Sequence, residues 1–177
     1  MLSNVAMQCL AGIRLDADFG YFNLLKIRCF VLEEVFKEVI KEFNKEITDK
    51  KDPSQINPLV LAYIGDAVYE LYIRALLVSR SNAHVHKLHV DSIKFVKAKA
   101  QSDILHRIMG NLTEEEQDIV RRGRNAKSGT IPKNADVTEY KYATGFESLI
   151  GYLYLTHAYD RLVEVLKMAV SEDAAQS

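Results

Sequence analysis

Cysteine, proline and long apolar runs are all scarce in this chain, and each scarcity removes a class of protein. Cysteine occurs twice, at Cys9 and Cys29. Two thiols so close to the start make neither a disulfide framework nor a zinc cluster, and a reduced, cytoplasmic setting is the default. No stretch reaches the roughly 18 uninterrupted apolar residues of a membrane span, so no membrane partner is expected. The opening "MLSNVAMQCLAGIRLDADFG" lacks the basic n-region of a secretory signal. An excess of one charge is missing too: 23 Lys and Arg stand against 24 Asp and Glu, for a formal net charge of -1. Total charge therefore announces no nucleic-acid partner, and any basic contact surface has to be local.

What is present has a helical rhythm. Only three prolines and eight glycines interrupt 177 residues, and apolar residues recur at spacings of three and four, the pattern of an all-α domain. With 48% hydrophobic residues, the length suits one compact domain. That domain is expected over 51–177, after an N-terminal extension, 1–50, that is partly disordered but for a helix at 31–47. Residues 1–30 hold Gly12, Gly20, both cysteines and no clear period. A native start at Val31 would explain this, and an intact Met1 peptide at full abundance in mass spectrometry would exclude it.

Asn57-Pro58 opens a second helix, with Asn as N-cap and Pro in the first turn, running to about Ser79. A third is predicted over 85–109, its apolar side carrying Leu88, Ile93, Val96, Ala100, Ile104 and Ile108. Thr113 and Glu116 have capping-box spacing for a short fourth helix ending at Gly123. A fifth covers 138–156 and a sixth 160–170.

Two of these helices contain an acid where apolar residues prevail. "LAYIGDAVYELYIR" places Asp66 after Gly65 in a run of Leu, Ile, Val, Ala and Tyr. "ATGFESLIGYLYL" places Glu147 beside Phe146, near Gly145 and Gly151. A carboxylate taken out of water costs several kcal/mol or more unless an arginine, a proton or a metal ion compensates it. The small residues near each acid allow close helix approach. Where two such carboxylates meet, repulsion favours a shared proton or a bound cation. A hard ion such as Mg²⁺ takes one or two carboxylates and keeps positions for water and phosphate oxygens. A lone acid of this kind is more often an exposed or arginine-paired residue.

The segment 121–134, "RRGRNAKSGTIPKN", holds Arg121, Arg122, Arg124, Lys127 and Lys133 with no acid. Gly123, Gly129 and Pro132 mark it as a loop, and Ser128, Thr130 and Asn134 add further donors. Such a loop suits phosphate contacts, which give affinity without sequence choice. With no aromatic residue for base stacking, it fits the backbone of a duplex. Lys94, Lys97 and Lys99 add charge on the third helix. The bland alternative is a solvated basic loop. Glu70, four residues after Asp66 on the same helix face, reads as either a base behind the metal-holding acids or a salt-bridge partner, the second slightly preferred. Tyr63, Tyr69 and Tyr72 read as core or interface packing. His84, His86 and His89 lack the companion ligands of a zinc site.

"LAYIGDAVYE" resembles the signature helix of the ribonuclease III catalytic domain, and "ATGFESLIGYLYL" its second acidic helix. The intervening "RRGRNAKSGTIPKNADV" is similar to the bacterial Mini-ribonuclease III branch, which lacks a separate double-stranded-RNA-binding domain. The resemblance covers about 52–170. It implies an all-α, symmetric homodimeric endonuclease that cuts double-stranded RNA with Mg²⁺, leaving 5′ phosphate and 3′ hydroxyl ends. The branch matures the ends of precursor large-subunit ribosomal RNA, with a ribosomal protein on that RNA as a further partner. It assigns Asp66 and Glu147 as catalytic, metal-holding residues. RNA contacts are expected from Lys97, Lys99, Arg121, Arg122, Arg124, Asn125, Lys127, Ser128, Lys133 and Asn134. Larger members carry two more acids, at the positions of Ala62 and Thr144, so the number of ions is open.

One rival is a non-catalytic RNA-binding subunit of the same fold in a ribosomal assembly. Another is a helical-bundle redox metal enzyme, against which the missing Glu-x-x-His pattern argues.

Overall fold

The computed structural model describes residues 52–127 and 136–171, with Glu42 and Lys45 before them. Contacts divide the chain into Met1–Ile47 and Thr48–Ser177, and the site lies in the second unit. Of the helix expected at 31–47, Glu42 and Lys45 are helical, and the rest lies outside the described residues, as does 1–30.

The described part of the second unit is all-α: no strand occurs among these residues. Helix α1, Pro58–Arg80, starts as its sequence demands, with Pro58 in the first turn and the Asn57 side chain accepting a hydrogen bond from the Leu59 amide at 2.9 Å. Helices α2, Val85–Val96, and α3, Ala98–Ile108, replace the single helix expected over 85–109. Lys97 between them is extended, with ψ 148°. The bend has a packing consequence. Phe95 and Val96 reach the same core as Ile104 and Ile108, while Ile93, expected on the buried side, is left exposed.

Helix α4, Glu114–Asn125, opens with the capping box read from Thr113 and Glu116. It does not stop at Gly123. That glycine is interior and buried, and a Cβ there would come within 2.9 Å of the Gly145 Cα. Gly123 is thus a point of close helix approach rather than a helix end, and the basic run is helical as far as Asn125.

Helix α5, Val137–Leu155, is central. Ten of its 19 residues are buried, as befits a helix packed on several sides, and α1, α3, α4 and α6 (Tyr159–Ala169) all contact it. Tyr69 of α1 meets Phe146 of α5 edge to face, ring centroids 5.0 Å apart, a favoured aromatic geometry. The buried Glu116 carboxylate receives Nε and Nη2 of Arg161 at 2.8 Å each, tying α4 to α6. This pairing is the main reason its pKa lies below the ordinary value.

Candidate active site

Two glycines set the geometry of the site. At Gly65 of α1 a Cβ would run into the Glu147 carbonyl oxygen and lie 2.7 Å from the Gly151 amide nitrogen. At Gly151 of α5 a Cβ would run into the Leu61 carbonyl. The helices therefore cross with their backbones in contact. Asp66 and Glu147, adjacent to that crossing, are brought together.

Their surroundings differ, and one expectation needs correcting. Asp66, read as an acid in a buried run, is exposed. Helix α1 has an apolar stripe facing outward as well as one facing α5, so apolar neighbours do not bury it. Partial burial and then the charge of Glu70 raise its pKa. Glu147 is the withdrawn member of the pair. Burial first, and then the charge of Asp66, push its carboxyl up to about 8. Opposing these, the Gln101 side chain draws it down. Gln101 is 1% exposed, and its Nε2 completes no well-formed hydrogen bond among the described residues. An unpaired buried donor costs about 1–3 kcal/mol.

Glu70 pairs with Arg74 at 2.8 Å. The positions where larger relatives carry acids hold the buried Ala62 and a Thr144 whose hydroxyl donates to the Tyr140 carbonyl at 3.0 Å. Among the described residues no group of three or more His, Cys, Asp and Glu is placed to hold a metal. The donor set is thus two carboxylates, one at the rim and one half-buried. Oxygen donors in mutual repulsion, and few of them, fit a hard divalent cation.

The basic residues fall into unequal groups. Lys97 and Lys127 are exposed, as is Asn125 at the end of α4. Lys99 pairs with Asp103 at 3.0 Å, and Arg121 pairs with Asp118. Arg122 donates to the carbonyls of Ser54 and Ile56, fastening α4 to the segment before α1. Arg124 lies 3.9 Å over the Tyr142 ring, whose centroid is 4.1 Å from that of His106. Its Nε has no hydrogen-bond partner among the described residues. Ser128, Lys133 and Asn134 lie outside the described residues.

Residues 59–158 match the model of the Ribonuclease III domain. The chain belongs to the ribonuclease III family. Its Mini-ribonuclease 3 relatives include that of Thermoanaerobacter sp. (strain X514), 53% identical over 72% of this chain and 89% of that one. Mini-ribonuclease 3 of Clostridium tetani is 49% identical over 77% of this chain and 93% of its own. Protein FN1578 from Fusobacterium nucleatum has a similar crystal structure, with a TM-score of 0.61 and 32% identity, covering 67% of this chain and 95% of that one. Membership makes this ribonuclease III protein a metal-dependent endoribonuclease acting on double-stranded RNA. Among the described residues no helix is long and apolar enough to cross a membrane.

Sequence reasoning passed over Gln101, although the signal was there. It stands three and seven residues before Ile104 and Ile108, a polar side chain in core phase. Tyr142 and His106 gave no comparable signal, because their stacking depends on how α3 and α4 lie against α5.

Proposed function

We propose that this endoribonuclease cuts RNA duplexes with Mg²⁺ held between Asp66 and Glu147, as a symmetric homodimer in the cytoplasm. Its substrate is precursor large-subunit ribosomal RNA, presented with a bound ribosomal protein. The observation that carries the reading is the glycine crossing of α1 and α5, which brings two carboxylates together where both are strained as anions. A cation bound there supplies Lewis-acid stabilisation of charge developing on the scissile phosphate and activates water. Glu147, half-buried and pressed by Asp66, would hold that cation as a carboxylate. Asp66, exposed at the rim, would leave that cation open to phosphate oxygens. Lys97, Lys127 and Asn125 are exposed donors for the duplex backbone, and Arg124 offers a guanidinium already held flat by Tyr142. The wide, shallow minor groove of A-form RNA suits such shape-based contact.

The homodimer is supported by α1. Val60, Tyr63, Ala67, Leu71 and Val78 recur at helical spacing and are all exposed, Tyr63 by 81% and Leu71 by 65%. An isologous contact buries such a stripe on both copies at once. Asp66 lies next to it, so each site would stand close to the twofold axis, one per strand. Sedimentation of Leu71→Asp tests this: the variant runs as a monomer, and an unaltered dimer excludes the α1 face.

The activity is tested by incubating purified protein with duplex RNA, single-stranded RNA and duplex DNA, with and without Mg²⁺. Cleavage is expected of duplex RNA with Mg²⁺, and is lost in Asp66→Asn and Glu147→Gln while duplex binding survives. Both variants cutting at near wild-type rate would overturn the assignment. Binding without cleavage by the wild type would favour the non-catalytic subunit instead, though such a protein has no use for two opposed acids.

A further inference from the structure

Gln101 occupies a place where a polar side chain has no local purpose. It lies in the first turns of α3, in phase with the core residues Ile104, Leu105 and Ile108, and is as buried as they are. Its Nε2 finds no hydrogen-bond partner among the described residues. Proteins seldom keep such an orphan without a role for it. The group beside it is the Glu147 carboxyl. Neighbouring hydroxyls of α5 do not compete for that carboxyl. Thr144 Oγ1 donates to the Tyr140 carbonyl, and Ser148 Oγ to the carbonyls of Thr144 and Pro58.

We infer that Gln101 is a positioning residue: its amide holds one oxygen of the Glu147 carboxylate and so turns the other towards the cation shared with Asp66. The inference rests on the assignment of Asp66 and Glu147 as the metal-holding pair. Carboxylates that ligate metals are themselves hydrogen-bonded, and those outer bonds fix their orientation. The chemical type of residue 101 follows from the charge balance. A lysine or arginine there would neutralise Glu147 and compete with the cation, and an acid would repel it. Glutamine donates without adding charge. With Ala62 and Thr144 in place of further acids, no third acid among the described residues compensates for a misdirected Glu147.

The test uses the purified full chain at one fixed pH, with three measurements. These are Mg²⁺ binding by titration calorimetry, melting temperature without metal, and the Mg²⁺ dependence of duplex-RNA cleavage. Gln101→Leu removes the amide at similar volume. It is expected to melt close to wild type without metal, because removing an unpaired buried donor offsets the loss of its pull on Glu147. Its Mg²⁺ dissociation constant should rise about 10- to 100-fold, with saturating Mg²⁺ restoring most of the rate. Should Gln101→Leu fail to fold, Gln101→Met, unbranched and of matching length, carries the same expectation. A folded variant that binds Mg²⁺ as wild type does overturns the inference, whatever its melting temperature. The control is Asp66→Asn. If it too binds Mg²⁺ like wild type, or if wild type binds none, the metal-holding pair falls and the role of Gln101 with it. If Asp66→Asn weakens binding and the residue-101 variant does not, Gln101 alone is excluded.

Discussion

Glu147→Gln should stabilise the metal-free protein while abolishing its activity, and the size of the gain should depend on pH in a way the structure dictates. Burial and the nearby Asp66 raise the Glu147 carboxyl from 4.5 to about 8. The folded state therefore holds this proton more tightly than the unfolded chain does. Relative to a neutral isostere, the stability contributed by Glu147 is fully present below about pH 4.5 and is lost as pH rises towards 8. At about 1.4 kcal/mol per unit, the loss between pH 5 and 8 is roughly 3 kcal/mol. For a protein of this size that is on the order of 10 °C in melting temperature.

The assay is thermal unfolding of wild type and Glu147→Gln at pH 5, 6, 7 and 8 in chelator. The two curves should nearly meet at pH 5 and diverge steadily above it, the variant melting higher. Adding Mg²⁺ should then raise the wild type, because a ligand that binds only the folded state stabilises it, and should leave the variant almost unmoved. The wild-type gain should grow with pH, since the cation displaces a proton. Parallel melting curves across the pH range would refute the argument, showing that Glu147 is solvated enough to ionise freely and that no desolvated pair exists at the crossing.

Gly65→Ala should cost about 1–3 kcal/mol or more in urea unfolding and depress cleavage at all Mg²⁺ concentrations, because the new methyl forces α1 and α5 apart and carries Asp66 away from Glu147; unchanged unfolding would contradict the backbone contact. Arg161→Ala should cost about 3 kcal/mol by stranding the buried Glu116 carboxylate, with kcat unaltered once the protein is folded. Arg122→Ala should lower stability with no change in the salt dependence of duplex binding, since its donors are occupied by Ser54 and Ile56. Arg124→Ala combined with Lys127→Ala should weaken binding and flatten its dependence on salt by up to about two phosphate contacts; an unaltered slope removes the end of α4 from the RNA surface.

Much of the helical framework is legible in local sequence, because its signals are local. Asn57-Pro58 and the Thr113/Glu116 pair act within a turn of themselves, and their helices begin there. Lys97 shows the limit. Nothing in "KFVKAKAQ" breaks a helix by propensity, and the bend is understandable only once Phe95, Val96, Ile104 and Ile108 are seen to share one core. Gly123 shows another: a glycine near a helix end suggests a stop, and only the position of α5 reveals it as a place of contact. Asp66 and Glu147 were conspicuous as acids among apolar residues, but which of them is withdrawn from water was not. That depends on α1 having one apolar face towards α5 and another turned outward.

The same outward face explains why Asp66 can be exposed and still matter. A cation held by two carboxylates is formally neutralised, so it draws the RNA phosphates less strongly than a cation left with net positive charge, but it is also bound less firmly than one held by four. A site of this kind gains from orientation what it lacks in charge. Rigid backbone contact at Gly65 and Gly151 supplies that orientation for the two acids, and it does so without a side chain that evolution could adjust by small steps. Tolerance of substitution should therefore be lowest at the glycines of the crossing and higher at Lys97 or Lys127, where a phosphate contact can be taken over by a neighbouring cation. Saturation mutagenesis scored by duplex cleavage would rank these positions, and a Gly151→Ala variant as active as Lys127→Ala would contradict the view that backbone proximity makes the site.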